Sequence, residues 1–78
     1  MKLQILGTGC PNCRRLTAVT EEAARRLGLE YDLEKVEDVG AIVEMGVLRT
    51  PALAVDGTVR SSGRVPSVEE VEEVLRSA

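Results

Sequence analysis

The short apolar run Lys2-Leu3-Gln4-Ile5-Leu6 stops at Gly7-Thr8-Gly9 and gives way at once to a long helical pattern. That switch constrains the fold more than any other feature, because a strand that hands over to a helix must bury its apolar side chains against another layer. From Pro11 to Leu27, Cys13, Leu16, Val19 or Thr20, Ala23 and Leu27 recur at helical spacings. Pro11 suits the first helical position, where an N–H would have no intrahelical partner, and Gly28 suits the stop. Lys2–Leu6 reads as a strand buried on both faces. Met1–Leu6 is too short a stretch to be read as a signal peptide, and none is expected.

The rest of the chain continues the alternation without repeats, low-complexity segments or a linker. Glu30–Val36 alternates, with Tyr31 and Leu33 on one face and Glu30, Asp32 and Glu34 on the other, which predicts a half-exposed strand at the sheet edge. Asp38 is placed to cap a short helix that carries Val39, Ile42 and Val43 inward and stops at Gly46. Val47–Thr50 connects it to Pro51, and Ala52–Val55 is the next strand. Asp56-Gly57 is a strong two-residue hairpin turn into a return strand, Thr58–Ser61. Ser62–Pro66 is a loop. Ser67–Ser77 is the last helix, opened by a capping box of Ser67 and Glu70, with Val68, Val71, Val74 and Leu75 as its buried stripe. The predicted order is β-α-β-α-β-β-α. Strands joined through a helix are expected parallel with a right-handed crossover, and the last two antiparallel.

A chain of 78 residues with no Trp, no Phe and one Tyr is expected to form a single domain, 1–78, whose core is built from Val, Leu, Ile and Ala. The net charge is −3, with both signs mixed along the chain. No basic cluster is interleaved with aromatics, so nucleic acid is not an expected partner. No apolar run approaches the roughly 20 residues of a membrane span, so no membrane association is expected. The expected location is the cytoplasm, and the expected state a monomer. There is no His, which removes Cys-His catalysis and His-containing metal sites. Arg14 and Arg15 could stabilise a thiolate or steer an acidic partner, or simply form a solvated helix face.

The two cysteines stand in Cys10-Pro11-Asn12-Cys13, at the junction of the first strand and first helix. A thiol at a helix start lies beside unpaired backbone N–H groups and the positive end of the helix dipole, both of which favour the thiolate. The thiolate is the form that attacks disulfides and binds metals. A second thiol one turn away can close a disulfide within the chain. A bridge over so small a loop constrains the unfolded chain only slightly, so it is not a structural staple. Dithiol redox chemistry is the first expectation.

This pattern resembles the minimal thioredoxin fold, an α/β arrangement with a four-stranded mixed sheet and three helices, and the likeness covers nearly the whole chain. Two signals carry it: C-P-N-C between the first strand and helix, and Gly46-Val47-Leu48-Arg49-Thr50-Pro51-Ala52, which is similar to the family's G-V-x-x-T-P segment. The length most resembles the small archaeal and bacterial thioredoxin-like redox-active disulfide proteins, with glutaredoxins next. The resemblance implies a thiol-disulfide oxidoreductase, or protein disulfide reductase. Cys10 is then the nucleophile and Cys13 the resolving thiol, working through a mixed disulfide. Pro11 and Asn12 lie in the dipeptide that sets the site's shape and redox poise. Pro51 is cis in that family, Thr50 offers its backbone to an extended substrate segment, and Gly63 lines the same groove. The implied partners are protein disulfides and a thioredoxin-reductase-like electron donor. No cofactor and no metal are implied.

Three departures from the family pattern bear on mechanism. The buried Asp that full-length thioredoxins usually carry on the first strand is Gln4 here, which cannot act as a general base. The usual Trp before the motif is Gly9. The glutaredoxin stretch that grips glutathione reads Ser62-Gly63-Arg64-Val65-Pro66-Ser67, so glutathione is not the preferred donor. The alternative function is a small soft-metal, copper-type carrier using the same C-x-x-C, a class whose order is β-α-β-β-α-β. A third is a dimer sharing a four-thiolate zinc or iron–sulfur site between two chains.

Overall fold

Alternation and capping turn the chain into seven elements, in the computed structural model that describes residues 1–77. They are β1 (Lys2–Leu6), α1 (Pro11–Leu27), β2 (Asp32–Val36), α2 (Val39–Glu44), β3 (Ala52–Val55), β4 (Thr58–Ser62) and α3 (Val68–Arg76). The strands form one four-stranded mixed sheet in the order β2-β1-β3-β4. β1 pairs with β2 in parallel, Leu3 opposite Leu33, and with β3 antiparallel, Leu3 opposite Val55. The hairpin of β3 and β4 completes the sheet. Asp56 and Gly57 both have positive φ at its turn, which matches the right-handed twist of the flanking strands.

Period-2 alternation gives each strand two faces, and each face has its own core. Leu3, Ile5, Leu53 and Val55 face one way and meet Leu16, Ala23 and Ala24 of α1 and Val71 and Leu75 of α3. Leu6, Ala52 and Ala54 face the other way and meet Ile42 and Val47. Burying one such Leu or Val side chain is worth about 1.5–3 kcal/mol. The larger core therefore anchors α1, and α1 positions the cysteines. Its far end is closed by Gly28 at φ 67, whose N–H and that of Leu29 satisfy the last carbonyls of the helix. Arg26 spans from Glu22 to Glu69 and Glu72, linking α1 to α3 across the surface.

Some boundaries and faces differ from the sequence reading. β2 begins at Asp32 rather than Glu30, because its partner β1 begins at Lys2, opposite Asp32, and leaves nothing for residues 30 and 31 to pair with. β4 runs to Ser62 rather than Ser61. A bulge opposite Leu53 and Ala54 takes up Arg60 and lets Ser62 pair with Ala52. The inward reading of Val39 and Val43 is wrong: they are 62% and 57% exposed. α2 has six residues, and a helix that short reaches the sheet with one side chain, Ile42. Val47, beyond the helix, fills the neighbouring position. Of the pair Val19 and Thr20, it is Thr20 that is fully buried.

Candidate active site

Cys10 is the N-cap of α1, in extended conformation at φ −69 and ψ 163, with Pro11 at the first helical position. The Cys13 backbone N–H donates to the Cys10 sulfur at 3.3 Å. Neither cysteine is bridged; Cys10 is partly exposed and Cys13 is buried. The hydrogen bond from the Cys13 thiol, followed by the Cys13 and Asn12 backbone N–H groups, draws the Cys10 pKa below its ordinary value. Burial, and then the adjacent Cys10 sulfur, pushes the Cys13 thiol up. One junction thus produces an acidic, accessible thiol and a shielded, reluctant one, because the Cys13 thiol and its backbone N–H are both directed at the capping sulfur while Cys13 itself is buried.

Pro11 and Asn12 are exposed beside Cys10. Thr50 and Pro51 arrive from the loop before β3, Thr50 exposed and Pro51 buried. The Thr50–Pro51 peptide bond is cis. Gly63 follows β4 and donates its N–H to the Pro51 carbonyl at 2.9 Å. Its φ of +77, and the Arg49 Cβ only 3.2 Å from where its own Cβ would stand, explain a glycine there. The sequence-predicted residues are therefore brought to one end of the sheet from two directions. Cys10, Pro11, Asn12 and Cys13 come from the β1–α1 junction. Thr50, Pro51 and Gly63 come from the two ends of the β3–β4 hairpin.

Gly7 joins the two groups and was not singled out in the sequence. A Cβ placed on it would overlap the Cys13 sulfur and lie 3.7 Å from the Thr50 Cβ. A glycine directly ahead of a C-x-x-C strand–helix junction is the signal that could have marked it. Two further groups also escaped notice. Lys35 and Glu37 line a cavity of about 200 Å³ that reaches Cys13 and Arg14. The signal available was the parallel register, which sets Lys35 opposite Ile5, on the face that α1 covers. Arg14 donates to the Gly9 carbonyl at 3.4 Å. Gln4, at the place of the family's buried acid, points to the other face of β1 and donates to Glu34 at 2.7 Å.

A dithiol on the N-terminus of a helix, with a buried proline from the neighbouring loop and a mixed sheet of order β2-β1-β3-β4 behind it, defines the class of minimal thioredoxin-fold proteins. Comparison with known sequences agrees. The thioredoxin domain family matches residues 1–76. A thioredoxin of Methanothermobacter thermautotrophicus is 44% identical over 75 residues, covering 96% of this chain and 97% of its own. A thioredoxin of Methanocaldococcus jannaschii is 40% identical over 75 residues, covering 96% and 86%. The chain belongs to the thioredoxin family, and within it to a group of small archaeal type, with a thioredoxin-type redox function. Its element order ends on a helix and so is not the β-α-β-β-α-β order of the soft-metal carriers. No helix among the described residues is long and apolar enough to cross a membrane.

Proposed function

We propose that residues 1–78 act as one thioredoxin-like domain, a monomeric cytoplasmic protein disulfide reductase. Cys10 attacks a substrate disulfide, and the substrate's leaving sulfur departs as a thiol. Cys13 then attacks the mixed disulfide, which releases the second substrate thiol and leaves Cys10 and Cys13 bridged. Two electrons pass from the dithiol to the substrate. A thioredoxin-reductase-like donor returns them. Thr50, Pro51 and Gly63 form the groove that receives the extended substrate segment, with the Thr50 backbone pairing to it as an added strand. Pro11 and Asn12 contact the substrate beside Cys10.

The observation that carries this reading is the opposed state of the two sulfurs. Cys10 is accessible and its pKa lowered, whereas Cys13 is 6% exposed and its pKa raised. A pair that binds metal through two equivalent thiolates has no need of such asymmetry; an ordered exchange does. The test is insulin reduction coupled to a thioredoxin reductase and NADPH, repeated with glutathione and glutathione reductase as the donor system. Catalysed precipitation of insulin chains with the first donor, and little with the second, is expected. Failure to reduce insulin with either donor, or with dithiothreitol, overturns the reading.

A further inference from the structure

Resolution requires Cys13 to lose a proton, and its sulfur is buried, which pushes its thiol up. Gln4 cannot take that proton. It stands on the opposite face of β1 from Ile5, its amide is engaged with Glu34, and an amide is not a base at neutral pH. The route to Cys13 is instead the cavity of about 200 Å³ beside α1. Its charged and titratable lining comes from two sides: α1 supplies Cys13 and Arg14, β2 supplies Lys35, and the residue after β2 supplies Glu37, while β1 contributes Ile5 and the turn after it Gly7 and Gly9. Arg14 and Lys35 are cations with no lone pair to offer. Thr17 also lines the cavity, but its hydroxyl donates to the Cys13 carbonyl at 3.0 Å and is no base at neutral pH. Glu37 is the one carboxylate of the lining, and its Oε2 lies 3.7 Å from where a Gly9 Cβ would be, at the residue preceding Cys10.

We propose that Glu37 accepts the Cys13 proton through water held in this cavity. The volume is well above the 10–15 Å³ that one water needs, and the lining is polar enough to hold several. The step rests on the mixed-disulfide reading above. The Cys13 S–H bond breaks, and the proton passes through water to the Glu37 carboxylate. The Cys13 thiolate attacks the Cys10 sulfur, so that the Cys13–Cys10 bond forms as the Cys10–substrate bond breaks. The substrate thiolate leaves with the electron pair and takes up the proton that Glu37 returns to water.

Reaction of the reduced protein with one equivalent of 5,5′-dithiobis(2-nitrobenzoate) separates the two steps. The first thionitrobenzoate released reports attack by Cys10, and the second reports attack by Cys13 on the Cys10 adduct. In Glu37→Gln the first release is expected unchanged and the second slowed at least about tenfold near neutral pH, at the low end of what a positioned proton acceptor contributes. The deficit should close as pH rises and hydroxide replaces the acceptor, and Glu37→Asp should restore most of the rate. Electrostatics alone predicts the opposite, since removing a negative charge favours the Cys13 thiolate and speeds the second release. An unchanged or faster second release in Glu37→Gln, or equal slowing of both releases, overturns the proposal while leaving the dithiol mechanism intact. A wild-type protein that makes no second release overturns the mechanism itself, and this proposal with it.

Discussion

The Cys13 sulfur occupies the space in which a side chain on Gly7 would lie. The end of β1 and the first turn of α1 therefore touch without an intervening atom, and that contact holds Cys13 back from solvent while Cys10 stands forward. Gly7→Ala is expected to destabilise the protein by about 1–3 kcal/mol, the ordinary cost of one carbon too many in a packed site. The entropic gain of about 0.4–1 kcal/mol from replacing a glycine is smaller. Urea unfolding would show this as a lower midpoint, and Cys13 should become easier to alkylate. An unchanged midpoint would mean that the backbone gives way and the contact is not tight.

The two thiols should titrate in opposite directions from an ordinary cysteine. Cys10 is drawn down by the hydrogen bonds of Cys13, so its alkylation rate should already be high at a pH where a free cysteine is mostly protonated. Cys13 is pushed up by burial. Iodoacetamide at limiting concentration, followed by peptide mass spectrometry across pH, should label Cys10 first at every pH. Preferential labelling of Cys13 would reverse the roles of nucleophile and resolving thiol.

Cys13→Ser should accumulate mixed disulfides through Cys10, because attack proceeds and resolution does not. Cys10→Ser should trap far less, since its remaining sulfur is buried. Non-reducing electrophoresis after exposure to a disulfide-bonded protein reads both. Equal trapping by the two variants would contradict an ordered exchange.

Thr20 is fully buried in α1, and its Oγ1 has no hydrogen-bond partner among the described residues. Thr20→Val keeps the branched shape and removes a hydroxyl that was desolvated without compensation, a burden of about 1–3 kcal/mol. The variant should be more stable by about 1 kcal/mol, with activity unaltered, as read from the urea midpoint and insulin reduction. A loss of stability would show that the hydroxyl is satisfied in solution.

Local chemistry made much of this protein readable in its sequence. The Cys10–Cys13 motif, Gly28 as a helix stop, the Asp56-Gly57 turn and the Ser67–Glu70 capping box each act within a few residues of themselves. The capping box forms with both of its hydrogen bonds, and the edge position of the second strand follows from its alternating charge. Pro51 and Gly63 were found by likeness to a motif. Their juxtaposition, the Gly63 N–H on the Pro51 carbonyl, depends on how the hairpin closes and is not a property of either segment.

The order of the elements, their turns and most of their caps, and the lowered pKa of Cys10 were legible in the chain itself, since the Cys13 thiol and the N–H groups of the first turn lie within three residues of the capping sulfur. Tertiary structure alone decided the rest. Val39 and Val43 look as apolar as Ile42, yet they face solvent because a helix of six residues can lay one side chain on the sheet. Glu37 sits beside the cavity that leads to Cys13, although 24 positions separate them in the chain. It does so only because parallel pairing brings the end of β2 alongside the end of β1. Strand register and helix packing are agreements between distant segments about shape and volume, and no single segment carries them.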